Sequence, residues 1–493
     1  MDIYVAAVLI YLVFLGSIAV YKMRSVKTQD DFMVAGRKTT ALYLAGTLVC
    51  TWVGSGTLFG GAGLAFRVGL SELWFSAGAW TGICIIYFLA HRVRRISEYT
   101  MSDILEKRYN AAARIMGTTA VIVAYMTIAG YQFRGAGRLL NILTGIDPMW
   151  GGAIACGVVI LFTVVAGLVS IIRIDLFNGI MMVLGVLIAL PLAIGAIGTE
   201  QVATLPAEQF EVFGGHNWVW VMGVFFPTFF LLLGESSMYQ KFFSARDEAT
   251  ARRAVVGMII GVVVIETAIS LLAIIGSAKY ATLAPFALAD GTIDKAATET
   301  IILQLARYDL PPIAGVLLIC AAVAIILSTA NTFLMVPSTN ITRDIYQRFI
   351  NPNVSEVKVV RFQRFWIVAL GILAFVLASF FKSILDMAFT AYAMVGAGIT
   401  PALLAAFLWK RVTVAGGVAS IASGMGMTLA ITIANLALSE PLIETDYIIL
   451  PAAAASLLAL FLVSFATAPS PQEKWKPFME NMKMGDGKTE VRG

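Results

Sequence analysis

Apolar segments long enough to cross a bilayer recur thirteen times along this chain. They lie at roughly 3–23, 41–66, 71–91, 115–141, 149–171, 174–199, 216–242, 254–278, 311–343, 362–381, 384–409, 412–437 and 446–468. A bilayer core takes about 20 apolar residues of helix. Lipid offers no partner to backbone N–H and C=O groups, so each segment must close its hydrogen bonds within itself. The fold class that follows is an all-α polytopic membrane protein with 13 transmembrane helices. Composition agrees, with 59% hydrophobic and only 13% charged residues. Cys50, Cys84, Cys156 and Cys320 fall inside apolar segments without a CxxC pair and read as packing residues. His91 and His216 stand alone near helix ends. No metal cluster, catalytic triad or cofactor motif stands out, so the chain is expected to be no enzyme, with no organic cofactor and no nucleic-acid partner.

Thirteen crossings put the termini on opposite sides, and charge decides which. Of the 35 Lys and Arg, 28 fall on one alternate set of loops and the tail, and 5 (Arg67, Lys279, Lys295, Arg307, Lys382) on the other. Arg134 and Arg138 lie within a span. The positive-inside rule then directs the N-terminus outward and the C-terminus to the cytoplasm. The connections 200–215 and 280–310 are outer loops, the second an external gate or a capping loop.

Two spans are interrupted. The stretch 46–63 (GTLVCTWVGSGTLFGGAG) carries Gly54, Gly56, Gly60, Gly61 and Gly63, and 216–242 carries Pro227 and then Gly234-Glu235-Ser236-Ser237. Unwound backbone at membrane depth survives only where protein buries it or where it lines a polar cavity. Spans 2–6 and 7–11 form two sets of five, each opening on an interrupted helix, which points to a transporter's binding site. The expected layout is one transmembrane domain, 1–468. It comprises a leading helix and loop (1–40), repeats at 41–199 and 216–409, two final helices (412–468) and a cytoplasmic tail (469–493). Further on, Ser328 and Thr329 put adjacent hydroxyls midway along an apolar helix. Carbonyls from one helix and hydroxyls from another suit a small hard cation.

Several phrases resemble the sodium:solute symporter family: DFMVAGRK (31–38), TWVGSG (51–56), YQKFFSARDEATARR (239–253), the STANT…TRDIY run (328–346) and FLWKRVTVAGG (407–417). The resemblance covers nearly the whole chain, to about residue 440. It implies the LeuT-type 5+5 inverted repeat with two discontinuous helices, one helix before the core and two after, and coupled import of Na⁺ and a solute. Carried over by position, the family's sodium site falls on the backbone carbonyls of Cys50, Val53 and Ile325 and the hydroxyls of Ser328 and Thr329. A second sodium site of some members falls on Asp175, Ser328, Asn331 and Thr332, where those members have serines at the last two. Asparagine still offers a carbonyl oxygen, and a helix-end ion pair with Arg173 is the plainer reading of Asp175.

Ionisable groups at depth cost about 2.5–3.5 kcal/mol each on insertion scales, so each is a functional candidate. Arg134 is positioned to grip a carboxylate or to pair with Glu235, and Arg138 to snorkel outward. Glu235 faces the cavity; Glu266 reads as a hydrogen-bonded structural group. The TWVG phrase resembles the choline-transporting branch, but that branch's tryptophan on the second broken helix is replaced here by Glu235. Trp52, Gln132, Arg134, Glu235, Tyr239 and Tyr392 are therefore the expected substrate contacts, for an organic acid, amino acid or similar zwitterion. The resulting expectation is a sodium-coupled symporter working as a monomer by alternating access in a plasma membrane, the inner membrane of a bacterium. Its rivals are a proton-coupled transporter of the same fold and a solute sensor without transport.

Overall fold

A computed structural model describes residues 2–23, 28–288, 290–381 and 383–479. Residues 24–27 of the first charged loop, Lys382 and the tail from 480 onward lie outside these. Among the described residues all regular structure is helical, with two isolated bridges. Twelve helical stretches are long and apolar enough to cross a membrane. The shorter apolar helix Ala41–Trp52 is the first half of the interrupted second span, whose second half, Ala62–Val68, runs on towards Leu73–Ile96. Counted as one span, Ala41–Val68 brings the crossings to thirteen.

Local chemistry sets the ends of these helices. Ala111–Thr144 begins at Asn110, whose Oδ1 accepts from Ala113 N at 2.9 Å, and stops at Gly145 in the left-handed conformation. Its 34 residues, at about 1.5 Å of rise each, overreach the bilayer core, so it carries the chain beyond the lipid. Asp147 and Pro148 start the next helix together, the carboxylate accepting from Met149 N at 2.9 Å. Asp247 caps Glu248–Tyr280 by accepting from Thr250 N at 2.7 Å, a bond that holds its carboxyl down at about 2.

The fifth and sixth spans join at Gly167, several residues before the expected boundary. Its φ of +60° breaks the helix, and a Cβ there would stand 2.8 Å from the Phe32 ring. Asp175 thus lies inside the sixth span and not at its end. It is buried while Arg173 beside it is exposed, so the expected Arg173 pairing is replaced by inward contacts.

Burial separates centre from periphery. The most apolar window of Ile384–Leu408 is 89% buried and that of Pro312–Ile350 78%, against 28% for the leading helix Ile3–Tyr21. The central helices pack against both broken ones, and that is where the polar side chains gather.

Candidate functional site

The two broken helices stop on nearly the same backbone geometry. Ala41–Trp52 ends at Val53 with φ −73° and ψ 100°, and Trp218–Gly234 ends at Glu235 with φ −73° and ψ 104°. At the first break Thr57 N and Leu58 N both donate to Gly54 O (3.1 and 2.9 Å), bypassing Val53 O. A Cβ at Gly54 would meet Thr329 Cγ2 at 2.9 Å and Gln132 Nε2 at 3.0 Å, so only glycine lets the break approach its neighbours this closely.

Five neutral oxygens converge there. Ser328 Oγ donates to Cys50 O (3.1 Å) and Ile325 O (3.2 Å), and Thr329 Oγ1 to Cys50 O (3.1 Å) and Val53 O (3.2 Å). Oxygens spaced this way around a common centre at right angles stand about 2.3 Å from it, within the range of hard-cation contacts. Both hydroxyls can turn their lone pairs to an ion, and no fixed charge is spent.

Next to this cluster lies a narrow cavity of about 20 Å³. Trp52, Phe75, Tyr131, Phe333 and Tyr392 give it aromatic walls, and Glu235 and Glu266 give it two carboxylates. Thr329 lines it as well as joining the oxygen cluster. Glu235 accepts from Tyr125 OH and from Ser237 Oγ (2.6 Å). Glu266 accepts from Trp52 Nε1 (2.9 Å), Trp80 Nε1 (2.7 Å) and Thr57 Oγ1 (3.3 Å). It is hydrogen-bonded as expected, yet it also faces the cavity, which the sequence reading did not assign to it.

Three expected contacts lie elsewhere. Gln132 accepts from Ser55 N at 2.9 Å and supports the broken backbone. Tyr239 donates to Leu233 O at 2.8 Å across the second break. Arg134 donates to Ala378 O (3.1 Å) and Phe381 O (2.6 Å) at the end of Glu356–Ala378, away from Glu235. These three hold the helices that form the cavity without lining it. Arg138 does not snorkel; it pairs with the buried Glu299.

Of the second ion set, Asn331 turns away, its Oδ1 accepting from Thr163 Oγ1 at 2.9 Å. Asp175 accepts from Thr47 Oγ1 at 2.5 Å and stands 3.8 Å from Lys241 Nζ. Lys241 was counted with the charges of a cytoplasmic loop. It is instead buried on Ser236–Ser244, the second half of the second broken helix, where it follows Ser237 by four residues on the inward face. That i, i+4 spacing was the available signal.

Ion pairs and hydrogen bonds gather near both ends of Ala111–Thr144. At the Arg138 end Glu299 of the 280–310 connection packs on Gly63 and accepts from Ser383 Oγ (2.7 Å), Ile384 N (3.1 Å) and Leu385 N (3.0 Å). At the opposite end Arg114 Nη2 bridges Asp103 (2.6 Å) and Asp344 (2.7 Å). The cavity between these contacts is small and must widen to admit an organic solute.

The family model described as "Sodium:solute symporter family" matches residues 32–424. The high-affinity proline transporter PutP of Bacillus subtilis is 28% identical over 471 residues, covering 89% of this chain and 93% of that one. The sodium/proline symporter of Escherichia coli K12 is 26% identical over 434 residues, covering 81% and 82%. Among solved structures, a Na⁺-coupled sialic acid symporter in a substrate-bound outward-open state superposes with a TM-score of 0.79 at 16% identity, over 96% of this chain and 99% of that one. MhsT in complex with L-phenylalanine gives 0.53 at 15% identity, over 87% and 98%. The fold is thus the LeuT type, with two discontinuous helices at its centre.

Proposed function

Because the chain belongs to the sodium:solute symporter family and carries a small solute across a membrane with sodium, we propose that its solute is amine-bearing, proline or a similar amino acid. The sodium ion is held by the carbonyls of Cys50, Val53 and Ile325 and the hydroxyls of Ser328 and Thr329. The solute sits between Trp52, Tyr392, Glu235 and Glu266. One observation carries the reading: Thr329 belongs to the oxygen cluster and to the cavity wall at once, so ion and solute order the same side chain.

Two carboxylates and several aromatic faces favour a cationic nitrogen, through charge and cation–π attraction. With Arg134 engaged at a helix end, an organic acid without an amine is disfavoured. The named substrate of the relatives PutP and the sodium/proline symporters supports a compact amino acid. Sodium joining the first broken helix to Pro312–Asn340 favours the state that accepts solute, and differential binding to outward and inward states transmits its gradient. Inside-negative potential adds about 2.3 kcal/mol per charge per 100 mV.

The lopsided loop charges support an N-terminus outside and a C-terminus in the cytoplasm. Both sites draw on a single chain, in keeping with a working monomer and a layout of repeats at 41–199 and 216–409. Uptake into proteoliposomes under an inward sodium gradient tests the reading. Proline and related amines should compete with one another for transport and simple carboxylic acids should not. Transport driven equally by a potassium gradient would overturn it.

A further inference from the structure

One turn beyond Ser328 and Thr329, a second group of oxygens gathers from three elements. Thr47 and Thr51 come from the first broken helix, Thr332 from Pro312–Asn340, and Asp175 from the helix beyond Gly167. The Lys241 ammonium enters from the second broken helix and takes the middle. Its Nζ donates to Thr47 O (3.0 Å), Thr51 Oγ1 and Thr332 Oγ1 (3.4 Å), with Asp175 Oδ2 at 3.8 Å. An ammonium has three N–H donors, and here it meets three neutral acceptors. The Asp175 side chain supplies charge, its Oδ2 already accepting from Thr47 Oγ1 at 2.5 Å. Lys241 and Asp175 each have side chains only 1% exposed.

A carbonyl, two hydroxyls and one carboxylate around a compact positive charge are the surroundings an alkali cation would require at this spot. The residues that would form a second sodium site therefore do not fit one, because a cation is already built in. We infer that Lys241 is a tethered cation that permanently fills the second ion position, so that transport couples to the ion at Ser328 and Thr329 alone. A free ion would leave with the solute in each cycle; an ammonium fixed to the chain cannot. It also joins both broken helices to the two helices behind them, which keeps these elements in register without a second ion. Only the total ion count rests on the proposed sodium site; the Lys241 contacts stand apart from it.

Equilibrium binding of radioactive sodium to the detergent-purified full-length protein counts ions per chain. Wild type should bind one, weakened at least tenfold in Ser328→Ala/Thr329→Ala. Lys241→Ala should bind one ion more than wild type, and adding Asp175→Asn should remove that extra ion. A folded Lys241→Ala protein with the wild-type count overturns the inference, as does a wild-type ion that Asp175→Asn or Thr332→Val weakens tenfold. If Lys241→Ala fails to fold, the wild-type count and the Thr332→Val titration decide: one ion, indifferent to Thr332→Val, upholds the tethered cation. Failure of the Ser328/Thr329 site appears separately, as a wild-type ion that survives Ser328→Ala/Thr329→Ala.

Discussion

Ser328 and Thr329 face the first broken helix with neutral oxygens, whereas Thr332, one turn along the same helix, faces it across an ammonium and beside a carboxylate. The two clusters share helices and burial but differ in how their charge is arranged. The first has no built-in charge, so an ion can enter and leave without stranding a buried charge behind it. The second closes its own charge balance within the chain, which makes it a joint. Reversible binding at midplane calls for neutral ligands, and permanent attachment calls for a paired charge.

Taking apart the second cluster should give the largest effect. Lys241→Met leaves the Asp175 carboxylate buried beside neutral groups. Breaking one partner of a buried pair costs about 3–5 kcal/mol, visible as a large drop in thermal stability in detergent and potassium chloride. Removing both charges in Lys241→Met/Asp175→Asn should recover most of it, since apolar replacement of a whole buried pair is often neutral. An equally unstable double variant would mean that packing and not charge balance holds this joint.

The first cluster should answer to sodium and hardly to chain stability. Ser328→Ala/Thr329→Ala removes two of five oxygens, and sodium affinity is expected to fall about 100-fold, or about 2.7 kcal/mol. Melting temperatures of wild type and variant should coincide in potassium chloride and diverge as sodium replaces it. Parallel behaviour in both salts would erase the contrast between the clusters.

The contrast also marks what sequence could disclose. Thirteen apolar runs and two interrupted helices were legible because a bilayer leaves so few choices for backbone hydrogen bonds. The five-oxygen cluster was legible through the resemblance, and the structure brings those atoms together. Lys241 was not, because a lysine shortly before Arg246 and Asp247 reads as the start of a charged loop. The half-helix Ser236–Ser244 turns it inward, a consequence of the break at Glu235 that loop charges do not report. Arg134 lies off the cavity and Glu266 on it, the reverse of the expectation, for a related reason. Each lies on a long helix, and which face meets the cavity depends on rotations that sequence spacing leaves open.

Backbone approach at the first break should be next in size. Gly54→Ala puts a methyl 2.9 Å from Thr329 Cγ2 and 3.0 Å from Gln132 Nε2, inside contact distance for both. Overpacking of this kind costs about 1–3 kcal/mol. Pushing Thr329 away from Cys50 O and Val53 O should weaken sodium about tenfold, close to 1.4 kcal/mol. The thermal shift with sodium should move to higher concentration while the sodium-free melting point falls only modestly. An unchanged sodium midpoint would mean that the cluster tolerates a wider gap than its 3.1–3.2 Å spacings imply.

The smallest effect separates backbone from side chain. Cys50 takes part in the first cluster only through its carbonyl, which accepts from both Ser328 and Thr329. Its thiol points the other way and donates to Asp175 O at 3.0 Å, on the side of the second cluster. Cys50→Ala keeps the carbonyl and removes only the thiol, a weak donor. Sodium affinity should therefore change by less than about twofold, within roughly 0.5 kcal/mol of wild type. Because the thiol leans on the helix carrying Asp175, any loss should appear as a stability change common to sodium and potassium. A sodium-specific loss in Cys50→Ala would show that the thiol shapes the ion site, and that the two clusters are less separate than their contacts suggest.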